Sequence, residues 1–295
     1  MIEFLILPFI ACLILTGITV YFGIHVIKRE IIFIDIALAQ IAALGSSVAL
    51  VIQETFTHQH IIHHAEHAAV RTPDYALSLL FILIAAMIFT LLKNRKINVP
   101  LEAFIGITFA VATTGAVIIL DKGAGGDTHI HAMLAGSILW VTLHQVMRLL
   151  IVVFVVGLFH FIFRKKFKAL TDSYHNPEEK LTNPKLWDFL FYFTFGFVII
   201  EAVNIAGIIL VFAFLIIPAS ISSLFFTTWS NRFLTGLIIG ITVSFCGLYL
   251  SWVMDIASSP AIILFLSISL FIGIIILVLR MAINRKKKLP EVNIK

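Results

Sequence analysis

Charge is scarce in this sequence. Asp, Glu, Lys and Arg make up 13% of its 295 residues, where roughly a quarter is usual for a soluble domain. With 60% hydrophobic residues and a mean hydropathy of +1.07, that scarcity excludes a water-soluble globular chain. Cysteine is nearly absent. Cys12 and Cys246 both fall inside long apolar runs, which excludes a disulfide framework and reads as small core residues. A phosphate-binding loop is missing too. The one glycine cluster, Gly123, Gly125 and Gly126, lacks the lysine and following helix that cradle a phosphate. ATP hydrolysis, if it drives this protein, belongs to another polypeptide. Long polar segments are also lacking. Residues 54–74 and 164–186 are each too short to bury a core, so residues 1–295 read as a single transmembrane domain with no soluble domain. The second of these segments, with Pro177, Glu178, Glu179 and Pro184, reads as a surface connector.

What the chain has is apolar runs long enough to cross a bilayer, which takes about 20 residues. Nine of them lie near residues 4–27, 31–53, 75–92, 103–120, 143–163, 187–204, 206–228, 233–253 and 261–283. The fold class that follows is an all-α polytopic integral membrane protein of about nine spans, with eight to ten as the bracket. With the N-terminus outside, 18 of the 21 Lys and Arg residues fall on one side, leaving only Arg71, Lys122 and Arg148 on or near the other. Basic loops stay in the cytoplasm, so the expected topology is N-out and C-in, multi-pass in a prokaryotic cytoplasmic (inner) membrane. The net charge of +5 is then a matter of span ends and the headgroups of the lipid bilayer, and no nucleic-acid partner is implied. Residues 4–27 lack a basic leader and a small-residue cleavage site, so the first span is expected to stay.

Three segments carry chemistry. The second span runs from Phe33 through Asp35 and Gln40 to Gly45 and is rich in small residues. An ionisable group within a span is a functional candidate, although Asp35 could equally pair with Lys28 or Arg29 at the headgroups. The second segment runs from Gly207 to Ser223. Here Pro218 frees a carbonyl, and Ala219, Ser220, Ser222 and Ser223 suit a turn at the cytoplasmic face. The third, from Gly247 to Pro260, includes Ser251 and Asp255 and joins the last two spans outside.

In order and spacing these segments resemble the permease subunits of the metal-ion ABC importers, the zinc, manganese and iron class. Glu102 to Gly106 and Leu134 to Leu139 also look like that family, and the resemblance covers nearly the whole chain. It implies a homodimeric permease for divalent metal ions, served by a cytoplasmic ATP-binding subunit and an extracytoplasmic metal-binding protein. The metal ion is then the transported substrate, and no permanently bound cofactor is expected. The resemblance also implies a transport pathway touched by Asp35, Gln40, Gly45, Ser251 and Asp255. It places ATPase coupling at Pro218, Ala219, Ser220, Ser222 and Ser223, within residues 219–232. One departure stands out. The family carries an acidic residue and, four positions later, a histidine in the second helix. Their aligned positions here are Ile36 and Gln40, with Asp35 one residue early and about 100° round the helix.

Histidines in the outer loops support a metal substrate. His58, His60, His63, His64 and His67 fall within ten residues, and His129 and His131 lie in the next outer loop. Neutral imidazoles bind zinc and its neighbours well, so these residues suit metal capture; a solvated loop is the plain alternative. His63 to His67 also matches H-x-x-E-H, but a loop this short offers no substrate cleft. Glu201 and Asn204 read as exposed caps, His144 and Arg148 as snorkelling residues, and His25 and His160 as interfacial. Competing functions are a permease for an iron chelate or other organic ligand, and an ion-coupled secondary transporter. The latter needs several embedded carboxylates, of which Asp35 is the clear example. No convincing catalytic set marks an enzyme.

Overall fold

In lipid no water can satisfy a backbone N–H or C=O, so a spanning segment must close its hydrogen bonds internally as a helix. The computed structural model describes residues 2–56, 72–93, 99–120, 136, 138–174 and 182–287. Among them nine helices are long and apolar enough to cross a membrane. These are α1 (Ile2–Lys28), α2 (Ile34–Phe56), α3 (Thr72–Lys93), α4 (Leu101–Leu120), α5 (Leu143–Ile162), α7 (Pro184–Ala206), α8 (Ile208–Phe225), α9 (Trp229–Met254) and α10 (Ser258–Lys287). The tenth, α6 (Arg164–Asp172), is short and polar, and a single 3-10 turn, Ile138–Trp140, precedes α5. No strand occurs among the described residues.

Local signals fix where several helices begin and end. Thr142 caps α5 through a reciprocal box with Gln145, satisfying N–H groups that the first turn leaves open. Pro184 opens α7 after Asn183 in a left-handed conformation. Gly207, at φ +79°, ends α7 and begins α8, a backbone state that glycine adopts without steric cost. Pro218 does not end α8. The helix continues through the serine run to Phe225, and the turn comes only at Phe226. The expected turn at residues 219–223 is therefore displaced by several residues, because flanking helices hold this stretch on both sides.

The bundle has two halves. α1 packs against α8 and α9, and α8, α9 and α10 pack on one another; α2 packs against α3 and α4. α7 bridges the halves through contacts with α2, α3, α5, α6 and α8. Two thirds of the apolar window of α2 and of α7 is buried (67% each), against 17% for α10 and 22% for α4, which puts the first pair at the centre of the bundle and the second at its rim. Helix approach is close where glycine lies at a crossing. A Cβ added at Gly247 of α9 would fall 2.6 Å from the Ile262 Cα of α10, so this contact excludes any side chain.

The segment 164–186 is not the plain surface connector expected of it. Within it, α6 buries Phe167, Leu170 and Thr171 against the ends of α5 and α7. Phe167 stacks on His160 at 3.9 Å and meets Trp187 edge-on at 5.4 Å. A period of three to four in these apolar residues gives one buried face, while Arg164, Lys165, Lys166 and Lys168 stay exposed.

Candidate functional site

One end of the bundle gathers Arg29 and Lys93 around a single carboxylate, Asp188. Arg29, in the turn between α1 and α2, is 2% exposed, and the next residue, Glu30, takes a positive φ of 56° that reverses the chain. The Arg29 guanidinium lies 3.7 Å over the Phe191 ring. Its Nε donates to Thr171 Oγ1 at 2.9 Å, and its Nη1 is 3.7 Å from Asp188 Oδ1. Asp188 also accepts from Lys93 Nζ, at 2.7 and 2.5 Å on its two oxygens. One buried carboxylate of α7 thus serves cations from the ends of α1 and α3. Tyr174 covers the cluster with its ring 3.9 Å from Lys93 Nζ, and burial pushes its phenol well above the usual range. Lys28 pairs with Asp172 of α6 at 3.0 Å and lies 4.5 Å over the Trp229 ring. These contacts tie α1, α3, α6, α7 and α9 together at this end.

A second polar layer lies deeper along the same helices. His25 and His160 are each 2% exposed, not interfacial as expected. His25 Nδ1 is 2.7 Å from Thr171 Oγ1. That hydroxyl also accepts from Arg29 Nε, so Thr171 links His25 to Arg29. His160 bonds Tyr21 through Nδ1 at 3.0 Å and Thr194 through Nε2 at 2.9 Å. Both imidazoles therefore have fixed partners inside the protomer, which suits buried polar groups.

Asp35 differs. It is 2% exposed and its Oδ1 has no hydrogen-bond partner. Of the basic neighbours expected to pair with it, Lys28 bonds Asp172 and Arg29 faces Asp188. A buried carboxylate oxygen without a partner is costly. Gln40, five residues on in α2, is 7% exposed. Gly45 has another use: a Cβ there would lie 2.8 Å from the Ser78 Cα of α3, so it permits close packing of α2 on α3. Ser251 and Asp255 lie far from this group, at the opposite end of the bundle. Ser251 Oγ donates to the Ile256 carbonyl at 2.6 Å, and Asp255, at φ +51°, is the exposed left-handed cap of α9. Within one protomer the five pathway candidates are therefore not a single site.

In the coupling candidate, Pro218, Ala219 and Ser222 are buried and Ser220 is half-buried. Ser222 Oγ is turned back onto the Ala219 carbonyl at 2.9 Å. The exposed part of residues 219–232 is the α8–α9 turn, including Phe226, Thr227 and Thr228. His58, His60, His63, His64, His67, His129 and His131 lie outside the described residues. Among those described, no group of three or more His, Cys, Asp and Glu side chains converges as a metal site.

Four ion pairs escaped the sequence reading: Arg29–Asp188, Lys93–Asp188, Lys28–Asp172 and Arg148–Glu201. Asp188 drew no notice, although an aspartate inside an apolar run opposite buried Arg29 was the signal that could have found it. Glu201, read as an exposed cap, is 1% exposed. Its Oε2 lies 3.4 Å from Arg148 Nε, joining α7 to α5 near the opposite end, where Tyr75 of α3 also approaches it. Asn204 is exposed, as a cap should be.

Among the described residues, nine packed apolar helices with polar side chains buried between them define a multi-pass membrane protein. The family model described as ABC 3 transport family matches residues 1–277, and the chain belongs to that family. A manganese transport system membrane protein, MntC, of Listeria monocytogenes is 28% identical over 180 residues, which cover 61% of this chain and 64% of that protein. The chain thus spans less than two thirds of that relative's length. A probable metal transport system membrane protein of Chlamydia muridarum is 22% identical over 262 residues, 86% of this chain and 82% of that protein. In fold, the chain is similar to a chain in the solved structure of PsaBC from Streptococcus pneumoniae in complex with Fab. The TM-score is 0.73 at 20% identity, covering 92% of this chain and 90% of the other.

Proposed function

We propose that the protein is the membrane-spanning permease of an ATP-driven importer of divalent metal ions, with manganese or zinc as the cargo. Family membership supports the transporter class, and the names of the Listeria and Chlamydia relatives support a metal. The observation in this chain that carries the reading is Asp35, a carboxylate buried in the central helix α2 with one oxygen free of hydrogen bonds. A cation shedding its water needs a carboxylate ligand, and its arrival favours the ionised form, since an ion in an apolar interior is otherwise prohibitive.

In this scheme two copies enclose the pathway, each with its α2. A separate cytoplasmic ATP-binding subunit docks on each copy, and an extracytoplasmic protein delivers the ion at the other face. ATP binding displaces the α8–α9 turn and shifts the pair between outward-open and inward-open populations. The outer histidines raise the local concentration of metal without sealing the path. The basic end of the bundle is the cytoplasmic face by the positive-inside rule.

The test is ATP-dependent uptake of manganese and zinc into vesicles containing the complete complex. Asp35→Asn keeps the shape and removes the charge; it should lower uptake about tenfold or more, equivalent to about 1.4 kcal/mol of lost cation stabilisation. Gln40→His offers an imidazole on the same helix and should raise zinc uptake relative to manganese, since zinc favours nitrogen donors. Wild-type uptake of both ions by Asp35→Asn would remove the carboxylate from the pathway.

A further inference from the structure

The junction of α5 and α6 carries an arrangement that metal transport does not use. α5 ends with Phe161 and Ile162, each 63% exposed, followed by Phe163 at 37%. Four basic residues come directly after them: Arg164, Lys165, Lys166 and Lys168, all exposed. The Arg164 guanidinium lies 4.9 Å over the Phe161 ring. A shallow groove at this junction is lined by Phe161, Ile162, Phe163, Arg164, Lys165 and Lys166, three apolar side chains leading into three cations. Among the described residues no carboxylate forms an ion pair with any of these four basic side chains.

We infer that this groove is a binding site for an anionic phospholipid, with its headgroup phosphate on Arg164, Lys165 and Lys166 and an acyl chain along Phe161 and Ile162. Two features select a lipid over a soluble anion or a protein. The apolar half of the groove continues the outer surface of α5, a helix of membrane-spanning length, where Phe154, Leu158 and Phe161 are exposed. The basic half begins where that span ends, at headgroup depth, and attraction between basic side chains and an anionic leaflet falls off within a Debye length. The buried face of α6 is occupied by Phe167, Leu170 and Thr171, so its charged face is left to the membrane surface, as in an amphipathic interfacial helix.

The site also has a route to the polar cluster. Thr171 and Asp172, on the last turn of α6, hold His25, Arg29 and Lys28. A lipid that fixes α6 therefore steadies the end of α1.

The test reads the lipid beside α6 directly. Trp187 lies 5.2 Å from Phe163 and 5.4 Å from Phe167, so its fluorescence reports this groove once Trp140, Trp229 and Trp252 are replaced by Phe. The full chain is placed in nanodiscs of phosphatidylcholine with a minor fraction of either brominated phosphatidylglycerol or brominated phosphatidylcholine. Brominated phosphatidylglycerol should quench Trp187 more strongly, with a relative association on the order of tenfold at low salt. The combined change Arg164→Gln, Lys165→Gln, Lys166→Gln and Lys168→Gln should abolish that preference. A charge-conserving set, Arg164→Lys with Lys165→Arg, Lys166→Arg and Lys168→Arg, should retain it. Equal quenching by the two lipids would overturn the site. If equal quenching came with loss of a co-purifying ATPase from the glutamine variant, the surface would belong to the ATPase instead. A preference that survives in the glutamine variant would overturn it as well.

Discussion

Replacing Asp188 with Asn isolates the charge at the centre of the basic end while leaving shape and volume nearly unchanged. In the wild type this carboxylate takes both hydrogen bonds from Lys93 and faces Arg29 Nη1 at 3.7 Å. Arg29 and Asp188 have fully buried side chains, and that of Lys93 is 20% exposed. The cluster of two cations and one anion carries a net single positive charge; Asn raises it to two, inside an apolar bundle. Breaking a buried pair by removing one partner costs about 3–5 kcal/mol, and the partial exposure of Lys93 puts this case at the lower end, about 3 kcal/mol. The assay is reversible unfolding by SDS titration in mixed micelles, followed by circular dichroism. A second variant, Lys93→Met, and the double variant complete a cycle. With the lysine gone, loss of the carboxylate should cost less, giving a coupling of about 1–3 kcal/mol. An Asp188→Asn protein within about 0.5 kcal/mol of wild type, the margin for a neutral surface change, would refute the claim that this carboxylate holds these helix ends together. A strictly additive cycle would refute the pairing with Lys93.

Cysteine labels placed at Gln59 and Thr128 should react with an impermeant reagent from outside intact cells, and labels at Lys166 and Lys287 should not; the reverse pattern would invert the topology. For coupling, a charged substitution at buried Ser222 would disturb folding first, so the informative change is at the exposed turn. Thr227→Glu together with Thr228→Glu should detach the ATPase or uncouple hydrolysis from uptake while leaving SDS resistance as in wild type, and unchanged coupling would remove that turn from the interface. Changing His58, His60, His63, His64 and His67 to Ala should weaken uptake at scarce metal and leave it near wild type at saturating metal; complete loss at every concentration would make these residues part of the gate.

Composition and period alone determined the helical class, the number of spans and the sidedness expected of them. The reason is that a bilayer imposes a length of about 20 apolar residues and a backbone closed on itself, and both requirements are local. The same locality made α2 legible as the helix that carries an ionisable residue, because Asp35 interrupts an apolar run whatever surrounds it. Partnership was not legible. Asp35 has Lys28 and Arg29 as sequence neighbours, yet the nearest charges in sequence are not the nearest in space: Arg29 turns to Asp188, 159 positions away, and Lys28 to Asp172, 144 positions away. His25, His160 and Glu201 look interfacial when only their distance from a span end is counted. His25 and His160 are buried because α6 and α7 fold over them, α6 through Phe167, Leu170 and Thr171, while Glu201, on α7 itself, is covered by Arg148 of α5 and Tyr75 of α3. All of these contacts depend on helices far off in the chain. The serine run after Pro218 was expected to turn, yet the helix runs on to Phe225, since a helix packed on both sides keeps its course past one missing hydrogen bond. The apolar sequence decided that the chain enters the membrane as helices; only tertiary packing, by choosing which few charges could be left without water, decided which were paired and that Asp35 kept a free oxygen.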